Sequence, residues 1–453
     1  DFNFPTAIEG RVVPLIWGTV KLDGPNVVWY GDFRQKKIKE KVKTGLWTSE
    51  SFIKGFRYFI GFQVAMCRGQ IDSLRRIWIG ETVVFSGSIQ DGTVTIDDPK
   101  LFGGEDFGQG GVQGDFTVHS GSESQLEDPY LEDFQSPTPA YRGTFYGVWE
   151  GGYLGNSTNI RPWSFEASRF PNGLAISGGH HIVNTFDSNP MAVIYEVLTN
   201  DEWGFGFTSS DVDLIGFRTV ADTLFNEGNG FSFLLDNPIE ALDLLNEIER
   251  QIDATVYYDR STSQWRVNLL RSDYDINTIP QVDSTSGPDM HVIEVRDFTR
   301  GTWDETVNAV RVKFSDRSRD YFETFAVSPD LANHQIQGGQ VVQVEMVYPG
   351  VKDKDLSAQI AAREMRMLSV PLSKATVVVD RTFYNLTPGV PVAFTDPNFG
   401  FTQLPMRVAG VDFGDLEDGR ITLTLIQDVF RLATAITAPP DDTLWTPPTQ
   451  DVV

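Results

Sequence analysis

The sequence predicts a multidomain α+β protein, mainly β, and three observations lead there. Its 453 residues exceed what one core accommodates, and at roughly 150 residues per domain they imply about three domains. Hydrophobic residues make up 40% of the chain while 41 Gly and 24 Pro punctuate it, a composition that suits strands and turns better than long helices. Period-two runs occupy most of the length, and helical periodicity with caps is confined to a few segments.

Taken in order, "GRVVPLIWGTVKLDGPNVVWYGDF" alternates β-branched and aromatic residues with polar ones around the turn "DGPN", which predicts a hairpin. "RQKKIKEKVKTG" continues with lysines near period two and reads as a solvated strand face. Residues 52–88 predict strands around a polar turn and then a hairpin at "WIGETVVF". Residues 91–152 are rich in Gly, Ser and acids, with few periodic apolar runs, and predict an inserted loop-rich β module; strand character returns at "TNIRPWSFEASRF". In "SNPMAVIYEVLTNDEWG", Asn189 caps a helix with Pro190 at its first position and Ala192, Val193, Val197 and Leu198 on one face. A second helix is expected over Gly216–Asn226, and a third behind Asn237 and Pro238 with Glu240 as the capping-box acid. "ATVYYDRSTSQWRVNLLR" predicts a hairpin, and "VIEVRDFTRGTWDETVNAVRVKFSDRSRDYFETFAVS" a pair of long strands. "DLSAQIAAREMRMLS" predicts a helix with Leu356, Ile360, Ala361 and Met365 on one face. Strands follow at "KATVVVDRTFYNLTPGVPVAFTD", and "MRVAGVDFGDLEDGRITLTLIQDVF" closes on a hairpin.

A formal charge of −25 argues against a chain-wide grip on nucleic acid, because phosphate binding needs Lys and Arg to displace counterions. It also disfavours anionic lipid, and no run reaches the 18 or so apolar residues of a spanning helix, so no stable membrane insertion is expected. The lone Cys67 permits no intrachain disulfide or CxxC zinc site and reads as core. The chain opens on Asp1 and closes on "APPDDTLWTPPTQDVV", which reads as an excerpt of a longer polypeptide.

No catalytic motif stands out. Neither GxGxxG nor GxxxxGK[ST] occurs in "GGEDFGQGGVQGD", where Glu105, Asp106 and Asp115 would repel phosphate. The adjacent His180 and His181 cannot face one ion from a regular strand, and Asp211 and Asp213 lack the remaining ligands of a calcium loop, so a turn or helix cap is expected there. No GxSxG elbow exists, and acid pairs such as Asp97 with Asp98 or Glu127 with Asp128 are commonplace in a chain with 62 acids. Asp201 and Glu202 beside Trp203 would suit a sugar subsite; the plainer reading is a helix exit, ended by Asn200 and Gly204, with Trp203, Phe205 and Phe207 packed on a sheet. Catalytic, cofactor-binding and metal residues are therefore expected to be none.

The segments "PLIWGTVKLDGPNVVWYGDF", "FRYFIGFQVAMCRGQIDSLRRIWIGETVVF", "NPMAVIYEVLTNDEWGFG", "TWDETVNAVRVKFSDRSRDY" and "LEDGRITLTLIQDVF" resemble, in order and from about residue 5 to 430, those of tailed-phage tail hub proteins. That group is similar to the tip attachment protein of lambda-like siphophages and to its gene transfer agent counterpart. The resemblance implies tail-tube-like β-barrel or sandwich domains with a few packed helices. It further implies a homotrimeric baseplate hub that ends the tail tube, surrounds the DNA channel and holds the C-terminus of the tape measure protein. Distal tail protein, other tip proteins and tail fibres would be its neighbours at the distal end of the virion tail, after assembly in the bacterial host cytoplasm. It carries no catalytic residue and no cofactor, so no enzyme is expected, and DNA would pass an acidic channel without specific binding. Trp203 and Gly204 fall in the family's helix-exit pattern, and Trp29, Tyr30, Trp303 and Asn308 in its other segments, which makes these six the candidate assembly residues.

The domains expected on this reading are 1–90, a β-rich hub domain; 91–185, the inserted module; 186–295, an α+β hub domain; 296–432, a β-rich hub domain with one helix; and 433–453, a Pro-rich linker. The family's larger members continue into receptor-directed fibronectin-like and fibre-docking regions that this sequence lacks. The alternative function is a tail-tip protein that binds or cleaves host glycans, using Phe107, Phe116, Tyr130, Phe134 and Tyr141 of the inserted module.

Overall fold

The computed structural model describes residues 12–43, 49–104, 108–285, 291–415 and 418–431. They divide into two compact units, one drawn from residues 1–207 and 221–245 and the other from 208–220 and 246–453.

The first unit is built on β1 (Leu15–Asp23), β2 (Asn26–Lys43), β3 (Ser49–Arg68), β4 (Ser73–Ile79), β5 (Thr82–Ile89), β6 (Gly92–Asp98), β7 (Val112–His119), β8 (Thr144–Trp149) and β9 (Trp163–Arg169). Two-residue strands β10 (Ile182–Val183) and β11 (Asp187–Ser188) and the short β12 (Phe233–Leu235) complete it. One sheet has the order β2-β3-β8-β7-β6 and a second the order β12-β1-β9-β4-β5. Their apolar faces enclose a core centred on Trp163, whose ring lies 5.3 Å from Phe62, 5.4 Å from Trp149 and 5.7 Å from Phe116. Each fully buried large apolar side chain there contributes roughly 1.5–3 kcal/mol.

The expected first hairpin is not one. β1 pairs with β9 and β12, whereas β2 pairs with β3, so the chain turns at Gly24 and enters the opposite sheet. The cause is burial: Ile16 to Val20 of β1 are all buried, which demands partners on both edges, while β2 is largely exposed. Residues 91–185, expected as an inserted module, contribute β6, β7 and β8 to the sheet of β2 and β3, and β9 to the other.

Among the described residues the α-helices are α1 (Pro129–Glu132), α2 (Pro190–Thr199), α3 (Leu214–Asn226), α4 (Ala241–Ile252), α5 (Leu331–Ile336) and α6 (Lys354–Leu368). Asn189 caps α2 as expected, accepting from the Met191 N–H at 3.0 Å, and its amide donates to the carbonyls of His180 and Ala221 at 2.9 and 2.8 Å. α3 begins two residues before its expected start because the Asp213 carboxylate takes the Gly216 N–H at 3.1 Å. α4 starts at Ala241 rather than behind Asn237: the Glu240 carbonyl accepts the first helical N–H groups, and Asn237 instead donates to Asp236 at 2.8 Å.

The second unit contains the hairpin β13 (Ala254–Asp259) and β14 (Gln264–Leu269), then β15 (Gln281–Asp283), β16 (Val292–Arg300), β17 (Ala309–Asp316), β18 (Phe322–Pro329) and β19 (Gln343–Val347). It ends with β20 (Ser373–Val379), β21 (Pro391–Asp396), β22 (Phe401–Asp412) and β23 (Ile421–Gln427). A six-stranded sheet runs β15-β21-β22-β23-β20-β16 and a three-stranded one β18-β17-β19. The expected pair of long strands over residues 292–328 is thus three strands in two sheets, split by the turn at Gly301–Asn308. Leu356, Ile360, Ala361 and Met365 of α6 are buried on Val310, Val312 and Phe314, the face the periodicity predicts. Arg363 of α6 donates to the last carbonyls of α4, at Gln251 (2.7 Å) and Arg250 (3.1 Å). No helix among the described residues is long and apolar enough to cross a membrane.

Two consequences are measurable. Asn189→Ala removes a cap and the side-chain donor to the His180 and Ala221 carbonyls, so urea denaturation should show a loss of about 2–4 kcal/mol; a change under about 0.5 kcal/mol would contradict that role. Burial pushes the Glu249 carboxyl up from 4.5 to about 7. Its folded pKa exceeds its unfolded one, so ionisation costs stability progressively from pH 4.5 to about 7 and fully above that. Glu249→Gln should therefore raise the melting temperature at pH 8 and leave it unchanged at pH 4; an equal effect at both would contradict the burial argument.

Candidate functional site

β2 and β3 are 18 and 20 residues long and pair along their whole length, from Asn26 opposite Ala65 to Lys43 opposite Ser49. β8 pairs with β3 only over Phe62–Arg68. The segment before β9 extends support a little further, with Tyr58 N–H on the Gly155 carbonyl at 3.0 Å and Ile60 N–H on Gly152 at 3.2 Å. Beyond Arg57 the two strands form a ribbon, roughly 30 Å long at 3.3 Å per residue, with no third strand among the described residues.

That ribbon is exposed on both faces. Phe33, Phe52 and Ile53 are about half exposed at 50%, 48% and 49%. Lys36, Lys37, Lys39 and Lys41 are exposed and make no ion pair among the described residues, while Lys54 pairs with Glu40 at 3.5 Å. An isolated two-stranded ribbon is marginal in water, and clustered exposed apolar side chains mark an interaction surface. The sequence carried a signal for it: two adjoining alternating runs several times the usual strand length of 5–6 residues.

The six candidate assembly residues are not gathered into one cluster. Trp29 and Tyr30 lie on β2 at the base of the ribbon. Trp29 packs on Tyr130 and Phe134 with centroids 6.1 and 5.5 Å away, and Tyr30 is 54% exposed. Trp203 and Gly204 stand at the exit of α2. There Phe205 and Phe207 return their N–H groups to the Val197 and Leu198 carbonyls at 2.9 Å each, and Gly206 to Asn200 at 3.0 Å, satisfying the helix end. A Cβ on Gly204 would sit 2.2 Å from the Val197 carbonyl, so only glycine fits. Trp203 meets Trp17 edge-on at 5.6 Å; the Trp17 indole donates to Glu196 of α2 at 2.7 Å, and Arg169 of β9 pairs with the same carboxylate. Trp303 and Asn308 flank the turn before β17 in the second unit. Trp303 is 43% exposed, and Asn308 is buried with its amide on the Gln340 carbonyl (2.8 Å) and its side-chain oxygen on the Val342 N–H (2.9 Å).

Several groups that could carry chemistry are held in structural bonds. Asp211 closes a capping box with Thr208, its Oδ2 taking the backbone N–H at 2.8 Å, and Asp213 caps α3. His180 donates or accepts at Asp222 (2.7 Å) and stacks on Phe225 at 3.9 Å, while burial holds the neighbouring His181 below the ordinary imidazole value. Cys67 is buried and its thiol is pushed up to about 12 by burial, which keeps it protonated and unreactive. Asp128 is buried, capping α1 and bound to His119 at 2.7 Å, which leaves Glu127 without a free acidic partner at that site.

Of the aromatics suggested for glycan stacking, Phe116 is fully buried in the core and Tyr130 donates its hydroxyl to Asp32 at 2.9 Å. Phe134 is exposed, Tyr141 is half-buried, and Phe107 lies outside the described residues, as do Glu105 and Asp106. Among the described residues these aromatics do not form one platform: Phe134 is the exposed one, beside the exposed Glu132 and Asp133.

Residues 240–411 match the family described as "Putative phage tail protein". No curated protein matches the chain. Among solved structures it is similar to a chain of the virion of the native gene transfer agent particle, at 13% identity, over 96% of this chain and 89% of that one, with a TM-score of 0.62. The 43 kDa tail protein of prophage MuSo2 from Shewanella oneidensis matches at 12% identity over 93% of this chain and 98% of that one, with a TM-score of 0.34. The tail protein from Neisseria meningitidis MC58 matches at 11% identity over 79% and 96%, with a TM-score of 0.33. The mainly β architecture is accordingly similar in fold to a gene transfer agent virion chain, and residues 240–411 carry the pattern of the phage tail family model.

Proposed function

We propose that the chain is a structural component of the phage tail tip: a baseplate hub whose three copies close a ring at the end of the tail tube, around the DNA channel. In this reading it holds the tape measure protein's C-terminus on one side and anchors the distal tail protein, other tip proteins and fibres on the other. No enzymatic step is part of it. The supporting observation is the β2–β3 ribbon, a long two-stranded surface with half-exposed Phe33, Phe52 and Ile53 that water alone solvates poorly. A ring of copies would cover such ribbons without any cofactor. A formal charge of −25 suits a passage that phosphates traverse without sticking. Trp29, Tyr30 and Trp303, each with exposed area, are the candidate residues placed to meet neighbours, whereas Gly204 and Asn308 would act by shaping the scaffold.

Val28 tests this reading cleanly. It sits at a bulge between Val27 and Trp29 and is 37% exposed, so Asp there leaves the core intact. Val28→Asp should keep a native circular dichroism spectrum in the purified chain yet reduce infectious particles by at least about tenfold, the effect of an unpaired charge forced into an interface. Normal infectivity from that variant would count against the assembly role.

A further inference from the structure

The ribbon differs in charge from the rest of the chain. Residues 33–41 and 51–58 carry seven basic side chains, Arg34, Lys36, Lys37, Lys39, Lys41, Lys54 and Arg57, against the single acid Glu40, leaving −31 for the remainder of the chain. A surface with the opposite composition lies in the same unit. Residues 122–134, "SESQLEDPYLEDF", expose Glu123, Glu127, Glu132 and Asp133 together with Leu126 (70% exposed) and Phe134 (46%). Both surfaces mix charge with apolar area, the combination found at protein interfaces.

Within one copy the outer lysines of the ribbon lie away from that segment, although Arg34 at its base shares Asp32 with Tyr130. Phe134 and Tyr130 pack on Trp29, and Tyr130 binds Asp32, so the acidic segment is fixed at the base of β2. Lys39 is ten residues further along an extended strand, roughly 30 Å away at 3.3 Å per residue. Oppositely charged surfaces kept apart in one subunit can join between subunits. Such a heterologous contact, repeated, closes a ring if the rotation allows.

We propose that the β2–β3 ribbon of one copy docks on residues 122–134 of a second copy. Lys36, Lys37, Lys39 and Lys41 face the neighbour's Glu123, Glu127, Glu132 and Asp133, and Phe33, Phe52 and Ile53 gain apolar cover from Leu126 and Phe134. This deepens the ring reading above and rests on it for the supposition that copies associate. A nucleic acid is the less suitable occupant: its phosphates would leave Phe33, Phe52 and Ile53 uncovered, and the remaining −31 would repel it.

Charge swapping decides the matter in the purified chain, read by sedimentation equilibrium at low and high salt. Wild type should self-associate and lose affinity as salt screens the contact. K36E/K37E/K39E/K41E, and separately E123K/E127K/E132K/D133K, should each weaken association by at least about tenfold. Both sets in one chain should restore it. Circular dichroism checks each fold, and the milder K36Q/K37Q/K39Q/K41Q gives a partial loss should a reversal disturb the strand.

A wild type that remains monomeric, or a combined chain that folds without regaining association, overturns the proposal. So does a ribbon variant that loses binding to a mixed-sequence DNA duplex while self-association is unchanged. Failure here is separable from failure of the tail reading, because the place of the chain in wild-type tail particles is scored independently by averaged electron micrographs of their tail ends.

Discussion

Everything characteristic of this molecule depends on one backbone constraint: β2 and β3 run far past the sheet that contains them. Over Phe62–Ala65 the strand β3 has a partner strand on each edge, but from Arg57 outward it has β2 alone. The backbone groups facing between the strands are satisfied, so the ribbon holds its register; its side chains gain no layer to pack against. What keeps it extended is the base, where Trp29, Tyr130 and Phe134 interlock and Asp32 ties Tyr130 and Arg34 to the same corner. A core of stacked aromatics around Trp163 makes that base stiff, because close-packed interiors transmit load with little give. The arrangement is a packed block that carries a projecting two-stranded ribbon.

The same unit shows how polar groups lock apolar ones. Glu196 receives the Trp17 indole and the Arg169 guanidinium, joining β1, β9 and α2 through one half-buried carboxylate. Trp203 then closes over Trp17, and the loop from Phe205 to Phe207 returns to cap the helix. An aromatic, acidic and glycine-rich stretch that could suggest a ligand clamp is instead the way a helix ends when its last carbonyls must be satisfied in a crowded place. In the second unit Asn308 does comparable work, holding the start of β17 by bonds at both ends of its amide.

Much of this was legible in the sequence where local chemistry decides the outcome. The Asn189–Pro190 start of α2, the buried face of α6 and the hairpins β4–β5, β13–β14 and β22–β23 follow from caps, periodicity and turn residues alone. Partner choice was not legible. "DGPN" does turn the chain, yet nothing local says that β1 pairs with the distant β9 and β12, since that depends on edges contributed by residues up to 220 positions away. For the same reason the Gly-rich stretch after residue 91 looked like an insertion although its strands complete the first sheet. The lysine run was recognisable as a strand face, but its position beyond any third strand, and hence its exposure with Phe52 and Ile53, emerges only from the pairing.

Whether this chain ends a tail tube as a closed ring is read by averaging electron micrographs of tail ends from particles that contain it. The prediction is a threefold ring coaxial with the tail, with density for this chain around an open or plugged axial channel. Density lying to one side of the axis, or no density for the chain at the tail end, would contradict it.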